Sequence, residues 1–209
     1  LSLSFDKSDA VNAFVEKVVN ASDSVLTSKV ISDGIDPENI NEAPTSVKDA
    51  MEKYLGIKNG DITSLGSRTQ VNILADKCGG VVLTGSKHTP NIAIYDFGEG
   101  QEPIKFSSTF CGMSESNKQK IKFVQGKHCA GGTGALNYAK DGIQLTISRR
   151  SPLLKEQNAS DEIGFTVTRK YAVGNRNVGS PEYRYLVINN SVPSFPFEPL
   201  RILPCMKNI

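Results

Sequence analysis

The sequence predicts an α+β fold, and three observations carry that expectation. A long amphipathic helix occupies the first part of the chain, short strand-like runs recur between Thr69 and Ile188, and glycine clusters punctuate those runs. At 209 residues the chain suits one domain with a small appendage, and 38% hydrophobic residues are enough to bury a core. The net charge of +2 gives no electrostatic reason to expect nucleic acid or a membrane as partner. Cys78, Cys111, Cys129 and Cys205 stand far apart without a C-x-x-C pair, which argues against structural zinc and against a disulfide scaffold. No run approaches 18 apolar residues, and the opening Leu-Ser-Leu-Ser-Phe-Asp is too short and polar for a signal peptide. The expectation is a cytoplasmic protein with reduced thiols.

The first helix is expected to start at an N-cap on Ser8, with Asp9 complementing the helix dipole. Val11, Phe14, Val15, Val18, Ala21, Ser22 and Val25 then trace one face at the helical period. Glu16, Asn20, Asp23 and Thr27 fall on the opposite side, within a sector of roughly 60°. Such a stripe most simply faces water. Its functional reading is a water-activating carboxylate one turn from an amide oxygen able to hold a hard cation.

Ser46 to Leu55 reads as a surface helix capped by Thr45 or Ser46 and ended by Gly56. Thr69 to Ala75 and Val81 to Thr84 read as strands, with Cys78-Gly79-Gly80 turning between them. His88 sits in a Lys-His-Thr-Pro loop and is expected at the surface. Ile92 to Tyr95 is an apolar run of the kind that forms a buried strand, and it breaks into Asp96, Gly98 and Gly100. A carboxylate at a strand end, followed by residues without side chains, suits a ligand lying against bare backbone.

Glu102 to Ala130 is polar and punctuated by small residues, and is expected to be a mobile cover. Gly126-Lys-His-Cys-Ala-Gly-Gly-Thr-Gly134 then leads into Ala135 to Lys140, a good helix opening. A glycine-rich turn feeding a helix N-terminus makes an anion site, although the Gly-Lys-Ser/Thr of a Walker A motif is absent here. Gly142 to Ser148, Ile163 to Tyr171 and Glu182 to Ile188 read as strands, and the proline-rich tail from Ser191 as an extended exit.

In this order the pieces resemble the GHKL superfamily, which includes gyrase B, MutL, sensor histidine kinases and the ninety-kilodalton heat-shock chaperone. Glu16-Lys-Val-Val-Asn20-Ala-Ser-Asp23-Ser looks like the N box, in a form closest to the chaperone's. Ile94-Tyr-Asp96-Phe-Gly98-Glu-Gly100 looks like the first glycine box, and Gly131-Gly-Thr-Gly134-Ala-Leu like the second. The resemblance implies a Bergerat ATP-binding fold: a two-layer sandwich whose mixed, mostly antiparallel sheet is covered by helices on one face. It places that domain at about residues 1–190 with a lid near 102–130, leaving 191–209 as a C-terminal extension.

The roles that follow are those the resemblance implies. Glu16 would be the general base for the attacking water, and Asn20 would ligate Mg2+. Asp96 would accept a hydrogen bond from the exocyclic amine of adenine. Gly98 and Gly100 would let backbone approach base and ribose, while Gly126, Lys127, Gly131, Gly132, Thr133 and Gly134 would cradle phosphates and Asp23 would support the site. The implied function is Mg-dependent binding and slow hydrolysis of ATP by a nucleotide-gated switch. It would sit within a larger protein, a downstream domain being the missing piece, and dimerise on ATP binding. Two alternatives stand beside it: an ATP-sensing module without turnover, and a histidine-kinase-type catalytic domain. The family's Gly-Thr pair is absent from Tyr183 to Val187, and Arg149 or Arg150 would have to substitute for the cation that a following domain brings to the γ-phosphate.

Overall fold

A computed structural model describes residues 10–110, 120–126, 134–156, 161–171 and 182–198. Helix α1 spans Ala10–Ser32, α2 Val47–Leu55 and α3 Arg68–Cys78. The strands are β1 (Gly79–Gly85), β2 (Pro90–Asp96), β3 (Ile143–Arg149), β4 (Glu162–Tyr171), β5 (Glu182–Tyr185) and β6 (Ser194–Pro196). The α+β class holds. Among the described residues the strands form two antiparallel sheets, where one mixed sheet was expected.

Helix α1 ends where Gly34 takes a left-handed conformation, and the N–H groups of Gly34 and Ile35 return to the carbonyls of Ile31 and Val30. Helix α2 begins as its sequence asks. Ser46 Oγ accepts the Asp49 N–H at 3.2 Å, Asp49 Oδ2 accepts the Thr45 N–H at 2.9 Å, and Gly56 closes the last turn. Ser46→Ala should therefore lower stability by about 1 kcal/mol. Thermal melting would register that as a fall of about 2–4 °C for a chain of this size.

The core lies between the second half of α1, helix α2 and the segment 120–126. Leu26, Val30, Ala43, Ala50, Ile121, Phe123 and Val124 are buried there, with Val47, Met51, Tyr54 and Leu55 packed around them. Within residues 102–130, expected as a cover, the described part contributes Phe106, Ile121, Phe123 and Val124 to the buried interior. Phe123 is fully buried, because an apolar run such as Ile121-Lys-Phe-Val124 gains more by filling the gap between two helices than by staying in water. Phe106 is fully buried elsewhere, beside Gly164 of the later sheet and edge-on to Phe110. Residues 111–119, with Cys111, lie outside the described part.

Three more expectations are revised. Thr69 to Ala75 is helical, not extended. Its alternating Thr69, Val71 and Ile73 mimic a strand, but Ser67 Oγ accepts the Gln70 N–H and starts a helix whose face makes no demand for burial. The run Ile92 to Tyr95 is a strand, though not a buried one: Ile92 is exposed and Ala93, Ile94 and Tyr95 are half-buried. The helix expected from Ala135 is a short 3-10 turn, Ala135–Asn137, led by Gly134.

Strands β1 and β2 pair in register from Gly79↔Asp96 to Gly85↔Pro90. Strand β4 is the spine of the other sheet. It pairs with β3 along one edge and with β5 and β6 along the other, so the proline-rich tail contributes a short strand, Ser194–Pro196. Thr166, fully buried on β4, donates its hydroxyl to the Leu186 carbonyl at 3.0 Å. Helix α1 packs on β2, and the exit of β2 runs past the end of β3, where Glu99 O accepts the Ser151 N–H at 2.9 Å and Ser148 Oγ accepts the Gln101 N–H at 2.9 Å. No helix among the described residues is long and apolar enough to cross a membrane.

Candidate functional site

The polar stripe of α1 does not face water. Asp23 is 1% exposed and Thr27 4%, with Glu16 and Asn20 half-buried, while Val11 and Val15 of the supposed apolar face are 66% and 47% exposed. Val25 is buried as expected, and the rest of the buried surface comes from Ala13, Leu26, Ser28 and Val30. The helix is thus rotated relative to its hydrophobic pattern. Thr27 Oγ1 is buried with no hydrogen-bond partner among the described residues.

The stripe meets the two glycine-bearing segments. Asp23 Oδ2 accepts the Gly126 N–H at 2.8 Å, and Asp23 Oδ1 accepts the Gln125 N–H at 3.0 Å. The Gly126 Cα comes so close to α1 that any Cβ would overlap Asn20 Oδ1. One residue past Asp23, Ser24 Oγ accepts the Glu99 N–H at 3.2 Å, and Gly98 lies against the Ser24 backbone where no side chain would fit. Asp96 Oδ1 accepts the Gly98 N–H at 2.9 Å, an Asx-type turn that fixes the carboxylate at the mouth of β2. Asp96 is exposed, where the adenine role implied a carboxylate in a buried pocket. Residues 20 to 24 of one helix therefore bring together turns that lie 75 and 103 positions downstream.

Gly100 completes the first turn at φ +58°, packed against the Arg149 carbonyl. The neighbouring arginines are engaged. Arg149 holds Asp161 through two hydrogen bonds of 2.8 Å and stacks on the Phe197 ring, and it keeps the Asp161 carboxyl below the usual carboxylate range. Arg150 pairs with Glu99 at 3.4 Å and donates to the Gly100 carbonyl at 3.2 Å. Both are structural partners of the glycine turn and its surroundings, a use that strand-end arginines did not advertise. At the other end of the stripe, burial pushes the Lys17 ammonium down from its ordinary pKa, and the Glu16 charge beside it opposes that shift.

Ser24, Glu99 and Gln125 are site residues that sequence reasoning missed. Ser24 was legible in principle, since it follows Asn20 by one helical turn on the same flank. Gly134 stands at the head of the 3-10 turn near α1, too short an element to act as a helix dipole. Lys127, Gly131, Gly132 and Thr133 lie outside the described residues, as do Ser8, Asp9, His128 and Cys129. His88 is exposed, and burial raises the pKa of the Cys78 thiol, which makes it a poor nucleophile. Among the described residues no group of three or more His, Cys, Asp and Glu could hold a metal ion. Comparison with protein-family models, curated proteins and solved structures returned no match to this chain.

Proposed function

We propose that this chain binds ATP with Mg2+ and hydrolyses it slowly, as a GHKL-type domain of Bergerat architecture. The observation that carries the reading is the inward turn of the α1 stripe onto both glycine segments. Removing a carboxylate from water is costly unless it is hydrogen-bonded, and an ordinary amphipathic helix would have turned Val11 and Val15 inward instead. Two of the three motifs, far apart in the chain, come together at residues 20–24 of α1, and Gln125 and Gly126 join them there.

In this reading Asp96, oriented by the Gly98 N–H, accepts from the exocyclic amine of adenine. Glu16, one turn before Asn20, takes the proton of the attacking water. Asn20 Oδ1 is the protein oxygen offered to Mg2+, an ion that keeps several waters and takes one or two protein ligands alongside substrate phosphates. That donor chemistry fits the site, and the ion would neutralise charge on the phosphates. In a larger protein the domain would act as a nucleotide-gated switch.

One observation favours the alternative of an ATP-sensing module without turnover: Arg149 and Arg150 are committed to Asp161 and Glu99. Steady-state phosphate release separates it from the hydrolase. The test of the shared premise is calorimetric titration with ATP and GTP, with Mg2+ and with chelator. ATP should bind, chelation should weaken it, and GTP should bind at least about tenfold more weakly, because guanine sets a carbonyl against the Asp96 carboxylate. Failure to bind any nucleotide would overturn the proposal.

A further inference from the structure

We propose that Asp23 is a positioning residue, which holds the main chain at Gln125 and Gly126 against Asn20 so that the Asn20 carboxamide presents Oδ1 in one orientation. This rests on the nucleotide reading above and assigns Asp23 a role other than contact with the ligand. Both oxygens of the buried carboxylate are spent on main-chain donors: Oδ1 on the Gln125 N–H at 3.0 Å, Oδ2 on the Gly126 N–H at 2.8 Å and the Gln125 N–H at 3.2 Å. Hydrogen bonds to an ionised acceptor are the strong kind. The same piece of chain is anchored from its other side by Phe123 and Val124 in the core.

The consequence falls on Asn20. The Gly126 backbone lies where any Cβ would overlap Asn20 Oδ1 and stand 3.1 Å from Asp23 Oδ2. It is a wall beside the carboxamide. An amide has an acceptor end and a donor end, and only the oxygen can face a cation. With the wall fixed, the carboxamide is restrained to one rotamer; with the wall released, it can turn its NH2 toward the ion and repel it. Preorganisation of this sort is what a supporting hydrogen bond contributes to a ligand atom.

Asp23→Asn is the informative substitution. It keeps one oxygen for the Gly126 N–H and sets an NH2 group against the Gln125 N–H. Without nucleotide, hydrogen exchange at the Gln125 and Gly126 amides should quicken about tenfold. With nucleotide, the gain in ATP affinity on adding Mg2+ should shrink about tenfold, while affinity measured in chelator stays within about twofold. A merely structural role would lower both affinities alike, and that outcome overturns the proposal. Gly126→Ala presses on Asn20 Oδ1 from the loop side and should shrink the Mg2+-dependent gain in affinity in the same way, whatever it does to affinity in chelator, which keeps the test open if Asp23→Asn fails to fold. Absence of ATP binding by the unsubstituted protein would sink the nucleotide reading and this role with it. Normal binding with unchanged Mg2+ dependence in both variants would sink this role alone.

Discussion

Glu16→Ala is expected to retain ATP and Mg2+ but to lose turnover by a factor of about 10²–10⁴, the usual contribution of a positioned general base. Labour is divided along α1. The contacts that dock this helix onto the glycine segments come from Asn20, Asp23 and Ser24. Glu16 sits a full turn earlier, half-buried, on the same inward stripe. Truncating it leaves those contacts in place and removes the carboxylate that would take the proton of the attacking water. The charge of Glu16 also opposes the burial-driven fall in the Lys17 pKa, so Glu16→Ala should let that ammonium lose its proton at a still lower pH. Glu16→Gln, which keeps shape without basicity, should be as inactive as the alanine variant. Phosphate release measures the turnover and calorimetry the binding. Lost binding in both variants, or turnover preserved in either, would remove Glu16 from the base role.

What the sequence disclosed and what it withheld follow one physical line. Local chemistry was legible. The Ser46–Asp49 cap and Gly56 stop of α2 are contained within a dozen residues, and so is the strand-then-turn of Ile92 to Gly100. Non-local choices were not. One local choice was hidden too: Thr69, Val71 and Ile73 alternate like a strand, and the nearby Ser67 cap starts a helix there instead. The register of α1 is hidden because hydrophobicity ranks Val11 and Val15 above Asp23, whereas the N–H donors that make the Asp23 carboxylate comfortable in the interior arrive from Gln125 and Gly126. The burial of Ile121, Phe123 and Val124 likewise depends on the gap between α1 and α2, which no window of a dozen residues contains. The Glu16–Asn20 and Asp96–Gly100 patterns could be picked out in the sequence; that Ser24 and Gly98 are the residues in contact could not.

Gly100→Ala is expected to be the most damaging single change to the fold of the site. Two separate terms add. An alanine at φ +58° costs about 1–2 kcal/mol, because its Cβ crowds the following carbonyl. The new methyl would also overlap the carbonyl oxygen and carbon of Arg149, which are backbone atoms at the end of β3 and cannot rotate away. Forcing volume into a closed contact adds about 1–3 kcal/mol, so the total of about 2–5 kcal/mol is a large share of the roughly 5–15 kcal/mol that holds a domain folded. The strain would be relieved by separating the turn from β3. That would break the Ser151 N–H to Glu99 O bond and the Arg150–Glu99 pair, and draw Glu99 away from Ser24. Thermal melting should fall by about 5–15 °C, and ATP affinity should fall with it. Gly34→Ala is the matched control. Gly34 has φ +77° with open space where a Cβ would stand, so it should show the conformational cost alone, about 1–2 kcal/mol. If the two variants melt together, the first glycine turn is not pinned between α1 and β3, and the convergence on which the nucleotide reading depends loses its support.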